Sequence, residues 1–192
     1  MAKVNNKWSI TDVRKIVEEV ANNKDEFGFL NDLEIAYNGR LSRTLARCLS
    51  RTKLVYGKVE WTRPFKLEFG KTILNVDSYE TLKQVVLHET AHAIANVRHQ
   101  DNCNHDARFK LVCEEIGCEM DGASSATASN QAREEIKDVS LQMNKHKITC
   151  VGCGSEFFYR RATEVVKQIQ MGRRSCVCPS CNHDEFTYTQ LR

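Results

Sequence analysis

The sequence lacks any apolar run that approaches the roughly 20 residues of a membrane-spanning helix. Its net charge is small, +3 over 192 residues, and residues 1–9 are polar, without the apolar core of a signal peptide. No segment repeats another. These absences argue against a membrane protein and against export, so we expect an intracellular location. The length fits one domain of ordinary size plus a small module.

Cysteine is the residue type whose number is unusual. The chain has nine cysteines, an odd number, and five of them lie within residues 150–181. Without an export signal, such a cluster indicates reduced thiols that bind metal rather than disulfides. Cys48, Cys113 and Cys118 lie outside the cluster, and we expect them to be small buried side chains.

One pentapeptide combines three chemical roles: residues 88–92 read H-E-x-x-H. On a helix, His88 and His92 lie on one face, so both imidazoles can bind the same zinc ion. Glu89 then lies beside a metal-activated water, where a general base is needed. A surface helix with two chance histidines is the alternative, but apolar residues recur around the motif at helical spacing and predict a buried face. We expect this helix to begin at Asp77 or Ser78.

A third zinc ligand has to come from farther along the chain. The metzincin pattern would place a glycine at Ala95 and a histidine at Arg98, so this sequence does not fit that class. His105 follows a polar loop and precedes a second amphipathic run, so it can fold back onto the first helix. We predict His105 as the ligand, with Glu114 or Glu115 as the alternative.

Two C-x-x-C pairs occur near the end of the sequence, at Cys150, Cys153, Cys178 and Cys181. Two such pairs predict a four-sulfur structural zinc site, as in zinc ribbons. The 24 residues between the pairs fit a long hairpin. Cys176 could replace Cys178, and His183 could replace Cys181, so these two alternatives stay open.

The segment between the two cysteine pairs is basic and aromatic. We predict that four of its arginines bind nucleic-acid phosphates: Arg160, Arg161, Arg173 and Arg174. We expect the arginines to be exposed and most of the aromatic residues 157–159 to be buried in the small core of this module. A second basic stretch, residues 40–71, has nine basic residues opposed only by Glu60 and Glu68. It fits a solvated strand face and a phosphate-binding patch equally well.

The periodicity of the chain predicts an α+β protein. We expect a first helix around residues 10–20, two or three strands within 40–76 and two helices within 78–119. The predicted domains are a zincin-like metalloprotease domain of helices packed on a small β-sheet (1–120), a linker and short helix (121–144) and a zinc ribbon (145–192).

These motifs resemble the SprT-like (Spartan-type) metalloprotease family. Its pattern is H-E-x-x-H-A, a variable loop, and a histidine followed shortly by phenylalanine and a helix, which His105 and Phe109 match. Residues 40–48 resemble the basic segment and first strand of the family, and residues 66–69 and 72–75 its next strand. The resemblance covers roughly residues 30–190. Asp106 and a residue around Ala46 replace glycines of the family pattern.

The motifs and the resemblance together imply a zinc-dependent endopeptidase that acts on DNA-bound or DNA-crosslinked proteins. His88, His92 and His105 would bind a catalytic zinc, Glu89 would be the base, and the four cysteines would bind a structural zinc. We expect DNA and DNA-bound proteins as partners, and a monomer. The alternatives are a DNA-binding ribbon protein on an idle protease fold, or a metallopeptidase without a nucleic-acid role. An idle site has no need of Glu89.

Overall fold

The computed structural model describes residues 6–41, 44–119, 130–173 and 176–191. The fold is mixed α/β, with two small sheets and a cluster of four cysteines near the C-terminus. It divides into two compact units, Met1–Ile136 and Lys137–Arg192. The division falls between the predicted domain limits at 120 and 144, which stay predictions. None of the helices in the described ranges has the length and apolarity to cross a bilayer.

The first unit contains most of the regular elements. They are α1 (Ile10–Ala21), β1 (Glu34–Tyr37), β2 (Ala46–Val55), β3 (Lys58–Phe69), α2 (Tyr79–His99), α3 (Ala107–Ile116) and the start of α4 (Asn130–Gln142). Short 3-10 helices occupy Asp25–Asp32 and Ile73–Asn75. The side chain of Ser9 caps α1 and forms a capping box with Asp12.

The three-stranded sheet of this unit has the order β1-β3-β2. β1 runs parallel to β3, and β2 runs antiparallel to it. β2 and β3 are joined by a two-residue turn in which Tyr56 and Gly57 have φ of 50° and 76°, as a type I′ turn requires. The expected strand at 72–75 is wrong, because Asn75 donates its backbone N–H to the Thr72 carbonyl at 3.1 Å, which is 3-10 geometry.

Helix α2 is the central element of the first unit and is buried over most of its length. Its N-cap is Ser78, whose hydroxyl accepts a hydrogen bond from the Thr81 N–H. Glu135 adds a second cap, since its carboxylate accepts from the Ser78 N–H at 2.5 Å and from the Thr81 hydroxyl at 2.7 Å. A negative charge at a helix N-terminus is favourable, so the start of the helix that carries the H-E-x-x-H motif is firmly held.

The second unit is built on a small antiparallel sheet. Its elements are β4 (His146–Cys150), β5 (Glu156–Tyr159), α5 (Glu164–Gln170) and β6 (Phe186–Gln190), with strand order β5-β4-β6. The segment between the two cysteine pairs therefore contains a helix, which buries Val166 and Ile169, whereas the sequence predicted a long hairpin. The expected aromatic core is also wrong, because Phe158 is 41% exposed and Phe157 and Tyr159 are only half-buried.

Candidate metal centres

Three histidines of the first unit converge on one point. His88 and His92 lie one turn apart on α2, and His105 lies just before α3. The Nε2 atom of His105 is 3.1 Å from Nε2 of His92 and 3.2 Å from Nε2 of His88. The three predicted ligands of the catalytic zinc are thus brought together, and they form a group that could hold a metal ion.

The spacing of these nitrogens fits zinc. Zn–N bonds of about 2.0–2.1 Å at tetrahedral angles place two ligating nitrogens about 3.3 Å apart. Burial and the two neighbouring histidines lower the pKa of His92 to about 3, which keeps its imidazole neutral, as a metal ligand must be. Three imidazole ligands would leave the fourth position of a tetrahedral zinc ion for water.

The orientation of His92 is set by its surroundings. Its Nδ1 lies 3.2 Å from the backbone carbonyl oxygen of Cys103. A carbonyl only accepts hydrogen bonds, so Nδ1 carries the proton and the Nε2 lone pair is free for a metal. The buried ring of Phe109 stacks on His92, with 4.2 Å between centroids, and meets the rings of His88 and His105 edge-on. Helix α3 therefore packs directly against the three imidazoles through Phe109.

Asp106 fits its position for a local reason. It is the N-cap of α3, where its side chain accepts from the backbone N–H groups of Arg108 and Phe109. An aspartate at this position fixes the start of α3 next to His105. The alternative ligand Glu115 lies elsewhere, since its carboxylate binds Arg98 at 2.7 Å and also Lys24.

Glu89 lies beside the histidine cluster and is buried. The backbone N–H of Cys48 on β2 donates to its carboxylate. Burial raises the pKa of Glu89 to about 7, although His88 and this N–H act in the opposite direction. A carboxylate with a pKa near neutrality can both accept and return a proton, which suits a general base.

A cleft of about 480 Å³ opens over the histidines and Glu89. One wall is β2, through Cys48, Ser50 and Thr52, and the loop before His105 forms another. β2 is an edge strand of the sheet within the described residues. The cleft therefore places the side of an extended strand next to the candidate metal site.

Three residues of this site were not identified from the sequence. Asn96, buried on α2, accepts a hydrogen bond from the Cys103 N–H at 2.8 Å and donates one to the Ser50 hydroxyl at 3.1 Å. Cys103 supplies the carbonyl that orients His92. Cys48 is half-buried in the cleft wall, not a plain core residue as expected, and burial followed by the Glu89 charge raises its pKa to about 12. One sequence signal existed: Asn96 is a polar residue four positions after His92, on the same helical face.

The four cysteines of the predicted ribbon also converge. The Sγ atoms of Cys150 and Cys181 lie 3.6 Å apart, and those of Cys153 and Cys178 lie 3.7 Å apart. Zn–S bonds of about 2.3 Å at tetrahedral angles give S···S distances of about 3.8 Å, whereas a disulfide requires about 2.05 Å. This group could hold a structural zinc ion.

The local backbone around these cysteines is suited to ligation. Gly154 and Asn182, which follow the two cysteine pairs, have φ of 73° and 59°, a left-handed conformation that glycine and asparagine adopt most readily. The backbone carbonyl of His183 accepts the Cys178 N–H at 2.8 Å, and the His183 ring lies against Gly152. The alternatives Cys176 and His183 lie outside the four-sulfur group.

The predicted nucleic-acid-binding arginines differ in their surroundings. Arg161 and Arg173 are exposed on the second unit. Arg160 is half-buried, donates to the Ser140 hydroxyl at 2.7 Å, and burial lowers its pKa. Arg174 lies outside the described residues.

A comparison with curated proteins finds no match. The model of the SprT-like family matches residues 14–133, more than half of the chain. This span includes the H-E-x-x-H helix, the loop to His105 and α3, and it ends before the four cysteines. The family is associated with metallopeptidase activity, which agrees with the histidine and glutamate geometry above. The chain belongs to the SprT-like family.

Proposed function

We propose that this protein is a zinc-dependent endopeptidase with a zincin-like fold in its first unit. The observation that carries the proposal is the convergence of three Nε2 atoms, from His88, His92 and His105, beside the buried carboxylate of Glu89 in an open cleft. A purely structural zinc site would be closed by a fourth protein ligand and would not need an adjacent base.

The chain's own residues divide the chemistry between them. His88, His92 and His105 would hold the zinc ion, which when bound lowers the pKa of a water and polarises a peptide carbonyl. Glu89 accepts the proton of the attacking water and then delivers it to the leaving amine. The Cys48 N–H holds the Glu89 carboxylate in place, and burial raises its pKa, which favours uptake of the proton.

Strand β2 supports the endopeptidase assignment. An extended peptide can add to an exposed strand edge through main-chain hydrogen bonds. Such binding needs no chain terminus, so an internal segment of a substrate can lie across the cleft. Cys48, Ser50 and Thr52 place this edge directly beside Glu89 and the histidines.

We further propose that the substrates are proteins bound or crosslinked to DNA. Two exposed arginines, Arg161 and Arg173, and the exposed ring of Phe158 support this proposal, since guanidinium groups bind phosphates and rings stack on bases. The second unit would then recruit DNA, and a substrate would be selected by its location more than by its sequence.

A comparison of Glu89→Gln with Glu114→Gln tests the proposed chemistry. Both variants lose one carboxylate, but Glu114 is exposed on α3 and lies outside the cleft. Purified proteins would be assayed for zinc content and for cleavage of a histone with and without single-stranded DNA. Glu89→Gln should keep its zinc and lose cleavage, whereas Glu114→Gln should match wild type. A Glu89→Gln variant that cleaves would refute the assigned role.

The role of DNA is tested separately with Arg161→Gln/Arg173→Gln. This variant should keep DNA-independent cleavage of an unstructured peptide and lose most of the DNA stimulation. Its affinity for DNA should depend less steeply on salt, by about 0.7–0.9 in log–log slope for each lost phosphate contact. Unchanged DNA binding and stimulation would favour a metallopeptidase without a nucleic-acid role.

A further inference from the structure

The hairpin of β2 and β3 carries basic and aromatic side chains that do not line the cleft over the histidines. Arg51 lies opposite Arg63, and Lys53 lies opposite Trp61. The pair between them, Thr52 and Thr62, faces the other side, where the two hydroxyls lie 3.1 Å apart and Thr62 is fully buried. Side chains alternate along a strand, so the first two pairs share the outer face. With the neighbouring Phe65, we call this set the hairpin face: Arg51, Lys53, Trp61, Arg63 and Phe65.

The two arginines of the hairpin face are placed unfavourably for the isolated protein. Like charges directly opposite on neighbouring strands are destabilising, and neither Arg51 nor Arg63 has a carboxylate within ion-pair distance among the described residues. Lys53, by contrast, pairs with Glu60 at 2.5 Å. A polyanion bound to this face would relieve the repulsion between the arginines.

Aromatic rings accompany the two guanidinium groups. The guanidinium of Arg51 lies 4.7 Å from the ring centroid of Phe65, and that of Arg63 lies 5.1 Å from the ring of Trp61. Phe65 is 37% exposed. Planar guanidinium groups and exposed rings are the two kinds of surface on which unpaired bases stack.

The tip of the same hairpin presents one more ring. Tyr56 is fully exposed and has φ of 50°, a region that aromatic residues rarely adopt and that asparagine or glycine usually occupies in this turn. Residues with backbone strain of this kind cluster at binding and active sites. Leu54 is 61% exposed and adds apolar surface next to this turn.

We propose that the hairpin face and Tyr56 form a binding surface for single-stranded nucleic acid. Arg51 and Arg63 would bind successive phosphates, while Trp61, Phe65 and Tyr56 would stack on bases. A duplex hides its base faces, and an acidic protein offers charge without regularly spaced planar groups, so both fit the surface less well. The surface belongs to the first unit and needs neither the cysteine cluster nor peptide cleavage, so it can be tested independently of the proposed function.

The test uses the full chain and a fluorescent oligothymidylate of about 20 nucleotides, with its duplex form and polyglutamate as competitors. Arg51→Gln/Arg63→Gln removes two charges from the hairpin face. Lys15→Gln/Lys83→Gln removes two charges from α1 and α2 and is the matched control. Trp61→Ala removes a ring, and Trp61→Phe restores one. Thermal unfolding and zinc content of each variant show that it is folded.

The arginine variant should bind the oligonucleotide more weakly than the control, with a log–log salt slope lower by about 1.4, two single-strand phosphate contacts. Trp61→Ala should weaken single-strand binding roughly 5- to 100-fold at an unchanged salt slope, and Trp61→Phe should recover most of it. Arginine variants that bind like the control would overturn the proposal. So would equal competition by duplex or polyglutamate together with no effect of Trp61→Ala. Cleavage of an unstructured peptide, measured in parallel, reports separately on the catalytic site.

Discussion

The side-chain oxygen of Asn96 accepts a hydrogen bond from the backbone N–H of Cys103 at 2.8 Å. The carbonyl of the same Cys103 accepts from Nδ1 of His92 at 3.2 Å. Asn96 therefore acts on His92 through one intervening residue, and its amide nitrogen, bound to Ser50, connects this arrangement to β2. A residue outside the three-histidine group is thus in a position to orient one of its members.

We expect Asn96→Ala to lower the affinity for one zinc about 10- to 100-fold, the usual effect of losing a hydrogen-bond partner behind a ligating histidine. Loss of this buried hydrogen bond should also destabilise the fold by about 0.5–1.5 kcal/mol, since the Cys103 N–H keeps the Asp101 carbonyl as a second acceptor at 3.1 Å. Ser50→Ala is the control, because it removes the hydroxyl that contacts Asn96 and the Cys48 thiol but keeps the bond from Cys103 to Asn96, and it should leave zinc affinity unchanged. Competition with a zinc chelator measures both variants, and equal affinities would refute the positioning role.

The second prediction concerns the third ligand. His105→Ala should lose one zinc per chain and keep the other, because the histidine and cysteine groups are built from separate segments. Glu115→Gln should keep both, since the Glu115 carboxylate is engaged by Arg98 and Lys24. Elemental analysis of the purified variants gives the zinc content. Loss of a zinc in Glu115→Gln with retention in His105→Ala would reassign the ligand.

The third prediction distinguishes the four proposed zinc ligands of the second unit from Cys176. Cys150→Ser should lose one zinc and unfold the second unit, because a module this small has too little core to fold without metal. Cys176→Ser should keep both zinc ions and the fold, since Cys176 lies outside the four-sulfur group. Circular dichroism reports the folding of the two serine variants, and elemental analysis reports their zinc content. Zinc loss in Cys176→Ser would contradict the assignment.

The fourth prediction concerns acid stability. The side chain of Asn38, followed by Arg47 and Lys66, stabilises the Glu68 carboxylate and lowers its pKa from 4.5 to about 2. Since the folded pKa is the lower one, this stabilisation is fully present above pH 4.5 and is lost as the pH falls toward 2. Glu68→Gln should therefore lower the free energy of unfolding near pH 7 by roughly 1–3 kcal/mol, and less at acid pH.

Glu60→Gln is the matched control for Glu68→Gln. Glu60 pairs with Lys53 at the surface, where such a pair contributes less than about 1 kcal/mol. Denaturant unfolding of wild type and both variants between pH 7 and pH 3 gives the comparison. A constant difference between Glu68→Gln and wild type over this range would show that the carboxylate is not stabilised by its partners.

Much of the fold could be predicted from periodicity and capping residues. The sequence limited the start of α2 to Asp77 or Ser78, because caps act within one helical turn, and the structure has Ser78 as the cap. The helix α5 and the 3-10 turn at Ile73–Asn75 were not predicted. Short apolar segments such as these do not distinguish helix from strand, and their conformation depends on what they pack against.

The sequence alone determined the pairs of ligands that lie close together in the chain. His88 and His92 share a helical face, and each C-x-x-C pair sits on one turn, so local geometry brings their ligating atoms together. The sequence favoured His105 over Glu114 and Glu115 as the third ligand, because only the end of α2 and a polar loop separate it from His92.

Only the tertiary structure decided the contacts between distant segments. The N–H of Cys48 meets Glu89, and Asn96 meets Ser50, because β2 packs beside α2. Arg51 faces Arg63 because of the register of β2 against β3, and a shift of one residue would send each side chain to the other face. A strand register is set by the turn and the core together, so no local pattern in the sequence reveals which side chains it brings into contact.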